Sequence, residues 1–80
     1  MNEKIKMMNM TLSVQAIYFL KTRKTICTGG YIVQKDKWIG AIIHAETGKL
    51  VISTKPVFDK KMDAINFMEE LRFKARKTQL

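Results

Sequence analysis

Residues 31–55 read YIVQKDKWIGAIIHAETGKLVISTK, and the punctuation of this stretch decides the fold. Tyr31 to Lys35 is short and rich in β-branched residues, Asp36-Lys37 is polar, and Trp38 to Ala45 is again rich in isoleucine. That order predicts two strands joined as a hairpin. Glu46-Thr47-Gly48 reads as a second turn, with Gly48 suited to the left-handed backbone that a tight loop needs. Lys49 to Lys55 is then a further strand, and Pro56 ends it because proline cannot donate to a ladder.

On the C-terminal side the period changes from two to 3.6. Ala64, Met68, Leu71 and Ala75 recur at i, i+4, i+7 and i+11, with Ile65 widening the stripe, so one face of a helix is apolar and packs on the sheet. Asp59 stands where an N-cap belongs, and Asp63 falls in the first turn near the positive end of the helix dipole. Arg72, Lys74, Arg76 and Lys77 fall near the negative end.

On the N-terminal side, Thr25 to Thr28 leads into Gly29-Gly30, a pair that predicts a bend or bulge. Lys21 to Lys24, KTRK, reads as a basic turn. Leu12, Val14, Ala16, Tyr18 and Leu20 alternate with Thr11, Ser13 and Gln15, which predicts a strand over residues 11–20; Ile17 and Phe19 spoil its polar face and leave a short helix as the competing reading. Residues 1–10, MNEKIKMMNM, lack a period and are expected to form a mobile tail before a single domain over 11–80. The predicted class is α+β: a small antiparallel sheet of three to four strands packed by one C-terminal helix.

In the Trp38 strand, Trp38, Gly40, Ile42 and His44 share one face and Ile39, Ala41, Ile43 and Ala45 the other. Both are mostly apolar, yet one helix covers only one. The second face is expected to meet the N-terminal segment, another subunit or a ligand.

Eighty residues allow one core, and a core this small leaves room for added burial from a homodimer interface or a bound partner. Fifteen Lys and Arg against seven Asp and Glu give a net charge of +8, so nucleic acid is the first partner to consider. The longest apolar run, Ala16 to Leu20, is far too short to span a bilayer, and no signal-peptide pattern is visible, so a cytoplasmic protein without membrane contact is expected. The lone thiol, Cys27, fits a reducing compartment.

Chemistry-bearing residues are sparse. Cys27 and His44 are single, so neither an activated thiol nor a tetrahedral zinc site is expected within one chain. The carboxylates are scattered apart from Glu69-Glu70, whose side chains on a helix diverge by about 100°. No helix, Lys-Ser/Thr pair or downstream acid follows Gly29-Gly30, so the pair is not a phosphate loop. We therefore expect no enzyme and no cofactor.

From Gly30 to about Leu71 the run GYIVQKDKWIGAIIHAETGKLVISTKPVFDKKMDAINFMEEL resembles the three-stranded-sheet-plus-helix DNA-binding module of phage-type integrase N-termini and plant AP2-type factors. The matching positions are Trp38 after a charged turn, Gly48-Lys49 in the second turn, Phe58-Asp59 before the helix and Ala64 on its inner face. This covers about half the chain and implies a sheet that lies in the major groove, reading bases with arginines and a tryptophan. The chain departs from that pattern, because Ile39, Ala41, Ile43, Gly40 and Ile42 occupy the strand positions and no arginine falls in the three strands, whereas base edges are read by Arg, Lys, Asn or Gln. Two residues beyond the expected length, including Pro56, precede Phe58. The resemblance implies the fold more than the function.

The expected function is a small basic binding protein, nucleic-acid-binding or regulatory. Lys21, Arg23, Lys24, Lys35, Lys37, Arg72, Lys74, Arg76 and Lys77 are the candidate phosphate contacts, with Tyr31 and Trp38 as stacking groups between lysines. The alternative is a protein-interaction module, an inhibitor or adaptor, that docks the second apolar face on an acidic partner.

Overall fold

A computed structural model describes residues 3–80. The chain opens with a hairpin of β1 (Lys4–Met7) and β2 (Met10–Ser13), joined by Met8 and Asn9 at φ of 51° and 63°. Two successive left-handed residues give the turn whose twist matches that of its strands. Residues 4–10, read above as part of a mobile tail, thus lie in or between strands; Met1 and Asn2 fall outside the described residues. The apolar side chains of Ile5, Met7, Met8 and Met10 pack against the core, which supplies the reason.

Helix α1 (Val14–Thr22) follows β2 directly. The Ser13 hydroxyl accepts from the Ala16 amide at 3.0 Å and caps the first turn. Ile17 and Leu20, three residues apart, are both fully buried, while Gln15 and Tyr18 face solvent. The strand expected over 11–20 is therefore real only to Ser13, and the helix takes the rest.

A three-stranded antiparallel sheet comes next, ordered β3 (Thr25–Ile32), β4 (Lys37–His44), β5 (Leu50–Ser53). Gly29 and Gly30 lie inside β3, neither with positive φ, so the bend or bulge expected there does not form. Gly29 instead faces Gly40 across the ladder, and a Cβ on Gly40 would lie 2.6 Å from Met68 Cγ. The paired glycines let a helix lie close on the sheet. The first hairpin closes through a 3-10 turn at Val33–Lys35 and a left-handed Asp36, so the strand expected to reach Lys35 stops at Ile32. Gly48 has φ of 72°, as its turn requires. The ladder between β4 and β5 shifts register at Ile42/Ile43.

Helix α2 (Lys61–Lys77) buries Ala64, Met68, Leu71 and Ala75 completely, as the period predicts. Its N-cap is Lys60, with no side-chain bond, rather than Asp59. Asp59 is held instead by an ion pair with Lys37.

Leu12, Ile17, Leu20, Ile42, Met68, Leu71 and Ala75 form one core. The terminal hairpin and α1 thus pack beside α2 on the Gly40–Ile42 face and do not cover the opposite one. That opposite face carries the cross-strand pairs Ile26–Ile43, Thr28–Ala41 and Gly30–Ile39. Ile26 is 48% exposed, Ile39 and Ile43 are half-buried, and Ala41 between them is buried.

Candidate nucleic-acid interface

The eleven candidate residues separate into two groups at opposite ends of β3, roughly 20 Å apart given the rise of a strand over the six residues from Thr25 to Tyr31. At the Thr25 end, the last turn of α1 carries Lys21, its link to β3 carries Arg23 and Lys24, and the last two turns of α2 carry Arg72, Lys74, Arg76 and Lys77. Side-chain bonds tie the two segments together. Arg72 donates to the Thr25 carbonyl at 2.7 Å and to its hydroxyl at 3.2 Å, and Arg76 Nε donates to the Leu20 carbonyl at 3.0 Å. Lys21 Nζ donates to the carbonyls of Arg76 and Thr78, satisfying orphan acceptors at the end of α2.

These contacts sort the candidates by role. Lys21, Arg72 and Arg76 bond backbone carbonyls and so support the fold while keeping their charge. Arg23, Lys24, Lys74 and Lys77 are exposed, and among the described residues the only non-covalent partner of their charged groups is the Phe73 ring, 4.4 Å from Lys77 Nζ. Arg23 and Lys24 also line a cleft of about 490 Å³ with Phe19, Thr22, His44 and Glu46. In that cleft His44 Nδ1 lies 2.8 Å from the Thr47 hydroxyl, and its ring meets Phe19 edge-on at 5.1 Å.

At the far end stand Tyr31, Lys35, Lys37 and Trp38. The Tyr31 and Trp38 rings sit 5.3 Å apart, next to a second pair, Phe58 and Phe67, also at 5.3 Å. Trp38 exchanges both backbone hydrogen bonds with Phe58. The Tyr31 hydroxyl donates to Asp36, and that bond, more than any other influence, raises the Tyr31 pKa. Lys37 is engaged by Asp59, whose hydrogen bond raises the lysine pKa and lowers that of the carboxyl. Neither the Lys35 ammonium nor the Trp38 indole N–H has a hydrogen-bond partner among the described residues. The aromatics share the helix-bearing side of the sheet, since Tyr31 and Trp38 are register partners in step with Gly29 and Gly40.

The Lys37–Asp59 contact is the one ion pair among the described residues, although all fifteen Lys and Arg lie within them. Burial raises the Cys27 thiol pKa, with Arg72 opposing the shift, so its thiolate is disfavoured. No cluster of three or more His, Cys, Asp or Glu suited to a metal ion occurs among the described residues. Among the described residues no helix is long and apolar enough to cross a membrane.

Sequence reading named the cations at the Thr25 end but missed how three of them are bound, because carbonyls at the end of a helix or strand leave no mark on composition. It also missed Lys61, whose Cγ lies 3.2 Å from the Cβ position of Gly29 at the free edge of β3. Compared with protein-family models, curated proteins and solved structures, the chain matches none.

Proposed function

We propose that this chain is a non-enzymatic binding protein that grips the phosphates of a nucleic acid with the cations at the Thr25 end of β3. The observation that carries the reading is the gathering of Lys21, Arg23, Lys24, Arg72, Lys74, Arg76 and Lys77 at one end of the molecule, none paired to a carboxylate. Unneutralised cations on a rigid frame release counterions when phosphates replace them, and that release drives binding. Arg72, Arg76 and Lys21 fix the frame; Arg23, Lys24, Lys74 and Lys77 reach outward. Phosphate contacts of this kind position a protein on a duplex without reading sequence. The opposite sheet face, which carries Ile26, Thr28, Ile39, Ala41 and Ile43, presents base edges with no Arg, Asn or Gln.

The test compares two quadruple variants with equal loss of charge, read by fluorescence anisotropy on duplex DNA and duplex RNA. Gln at Arg23, Lys24, Lys74 and Lys77 is expected to weaken binding on the order of tenfold more than Gln at Lys4, Lys6, Lys49 and Lys55. Equal losses from the two sets, or no binding at physiological salt, would overturn the proposal.

A further inference from the structure

The two edges of the main sheet are treated differently. β5 is four residues long, its ladder slips register, and Lys49 and Lys55 flank it with Pro56 just beyond. Each of these features blunts an edge against pairing with another chain. β3 is the other edge, and it has none of them: TICTGGYI runs for eight residues without a charge, a proline or a bulge.

The direction of its unpaired groups follows from the ladder. Trp38 exchanges bonds with Phe58, the Gly40 carbonyl accepts from Thr54, and His44 donates to Lys49, so these three residues of β4 point their backbone groups away from β3. Their neighbours Ile39, Ala41 and Ile43 therefore bond Gly30, Thr28 and Ile26. Thr25, Cys27, Gly29 and Tyr31 are left pointing outward. Arg72 takes the Thr25 carbonyl, while the N–H and C=O groups of Cys27, Gly29 and Tyr31 have no partner among the described residues.

Cations line this edge. Arg72 sits at its Thr25 end, Lys61 approaches Gly29 near its middle, and Arg72 and Arg76 both act electrostatically on Cys27; Glu69 opposes them there, and Asp36 stands at the Tyr31 end. We propose that the free edge of β3 is a β-augmentation site for an acidic extended segment of a partner protein, which adds a fourth strand beside Cys27, Gly29 and Tyr31. Main-chain bonds supply affinity in this mode and flanking side chains supply selectivity. Charge complementarity selects the occupant. An acidic strand places carboxylates beside Lys61 and Arg72, whereas a second copy of this +8 chain brings like charges together. The proposal shares Arg72 and Arg76 with the cation cluster above, but it rests on the free backbone groups of Cys27, Gly29 and Tyr31, which phosphate binding does not use.

The test titrates the full chain with nine-residue peptides that alternate Glu with Val, Thr or Tyr, and with a matched set carrying Lys for Glu. The readout is amide hydrogen exchange by NMR. The acidic set is expected to protect the Cys27, Gly29 and Tyr31 amides and to bind roughly tenfold more tightly than the lysine set at low salt. Lys61→Glu, an exposed change that leaves the core intact, is expected to narrow that ratio severalfold. N-methylation of alternate peptide amides should abolish the protection. Equal affinity of the two sets overturns the choice of occupant, as does protection already present without peptide in a chain that sediments as a dimer. Absence of protection by any peptide at millimolar concentration overturns the site.

Discussion

Gly40 shows how a single residue's meaning can lie outside its own neighbourhood. A methyl group there would meet Met68 Cγ at 2.6 Å, Met68 Sδ at 2.7 Å and the Ala64 carbonyl at 3.0 Å. The thioether can swing aside, but the backbone oxygen moves only with α2. Gly40→Ala is therefore expected to cost about 1–3 kcal/mol through overpacking, seen as a lowered thermal midpoint with the same circular dichroism. An unchanged midpoint would mean that α2 crosses the sheet elsewhere. The Gly29-Gly30 pair was legible as unusual but not as to cause, since local rules give glycine a turn and only the ladder reveals its position opposite Gly40 under a helix. Asp59 was misread for a similar reason: its position fits a cap, while Lys37, 22 residues away, is what it binds. The pair has a pH signature. The Asp59 carboxyl titrates below its ordinary 3.8, so its contribution is present above that value and is lost as pH falls through the lowered one. Lys37 titrates above its ordinary 10.5, so the alkaline loss comes only beyond that point. The stability difference between wild type and Asp59→Asn should hold constant from about pH 5 to 9 and close in strong acid. A difference that persists unchanged at pH 2 would assign Asp59 some role other than pairing.

At the scale of elements, α2 and the β4–β5 turn were readable because the helical period and the position of Gly48 were unambiguous. The segment 11–20 was not, because two periods overlap in it: alternation holds through Leu12 and Val14, while Ile17 and Leu20 fit one helical face. The structure divides the segment at Ser13, whose hydroxyl closes the first turn of α1. Ser13→Ala is expected to cost about 1 kcal/mol, measured by urea denaturation, because it leaves the Ala16 amide without its acceptor. A change within error would indicate that water replaces the hydroxyl and that packing of Ile17 and Leu20 alone sets the boundary. The same two residues bring α1 onto the face already occupied by α2. The N-terminal apolar side chains thus join the core on the helix side of the sheet.

Over the whole molecule, charge and contacts part company. The net charge was plain from composition, and all seven cations at the Thr25 end were named from sequence; their convergence was not legible, because it depends on α1 and the start of β3 meeting the C-terminal part of α2. Lys35, Lys37, Tyr31 and Trp38 lie at the opposite end, and Lys37 and Tyr31 are engaged by Asp59 and Asp36. The eleven candidates thus fall into two groups rather than one cluster. The most direct measurement is the affinity for a short DNA duplex as a function of salt, in the wild type and in the variant with Gln at Arg23, Lys24, Lys74 and Lys77. Phosphate binding at the Thr25 end predicts a linear fall of log affinity with log salt, at a slope near 0.9 per phosphate neutralised, and a shallower line for the variant. A salt-independent affinity, or parallel lines for the two proteins, would contradict it.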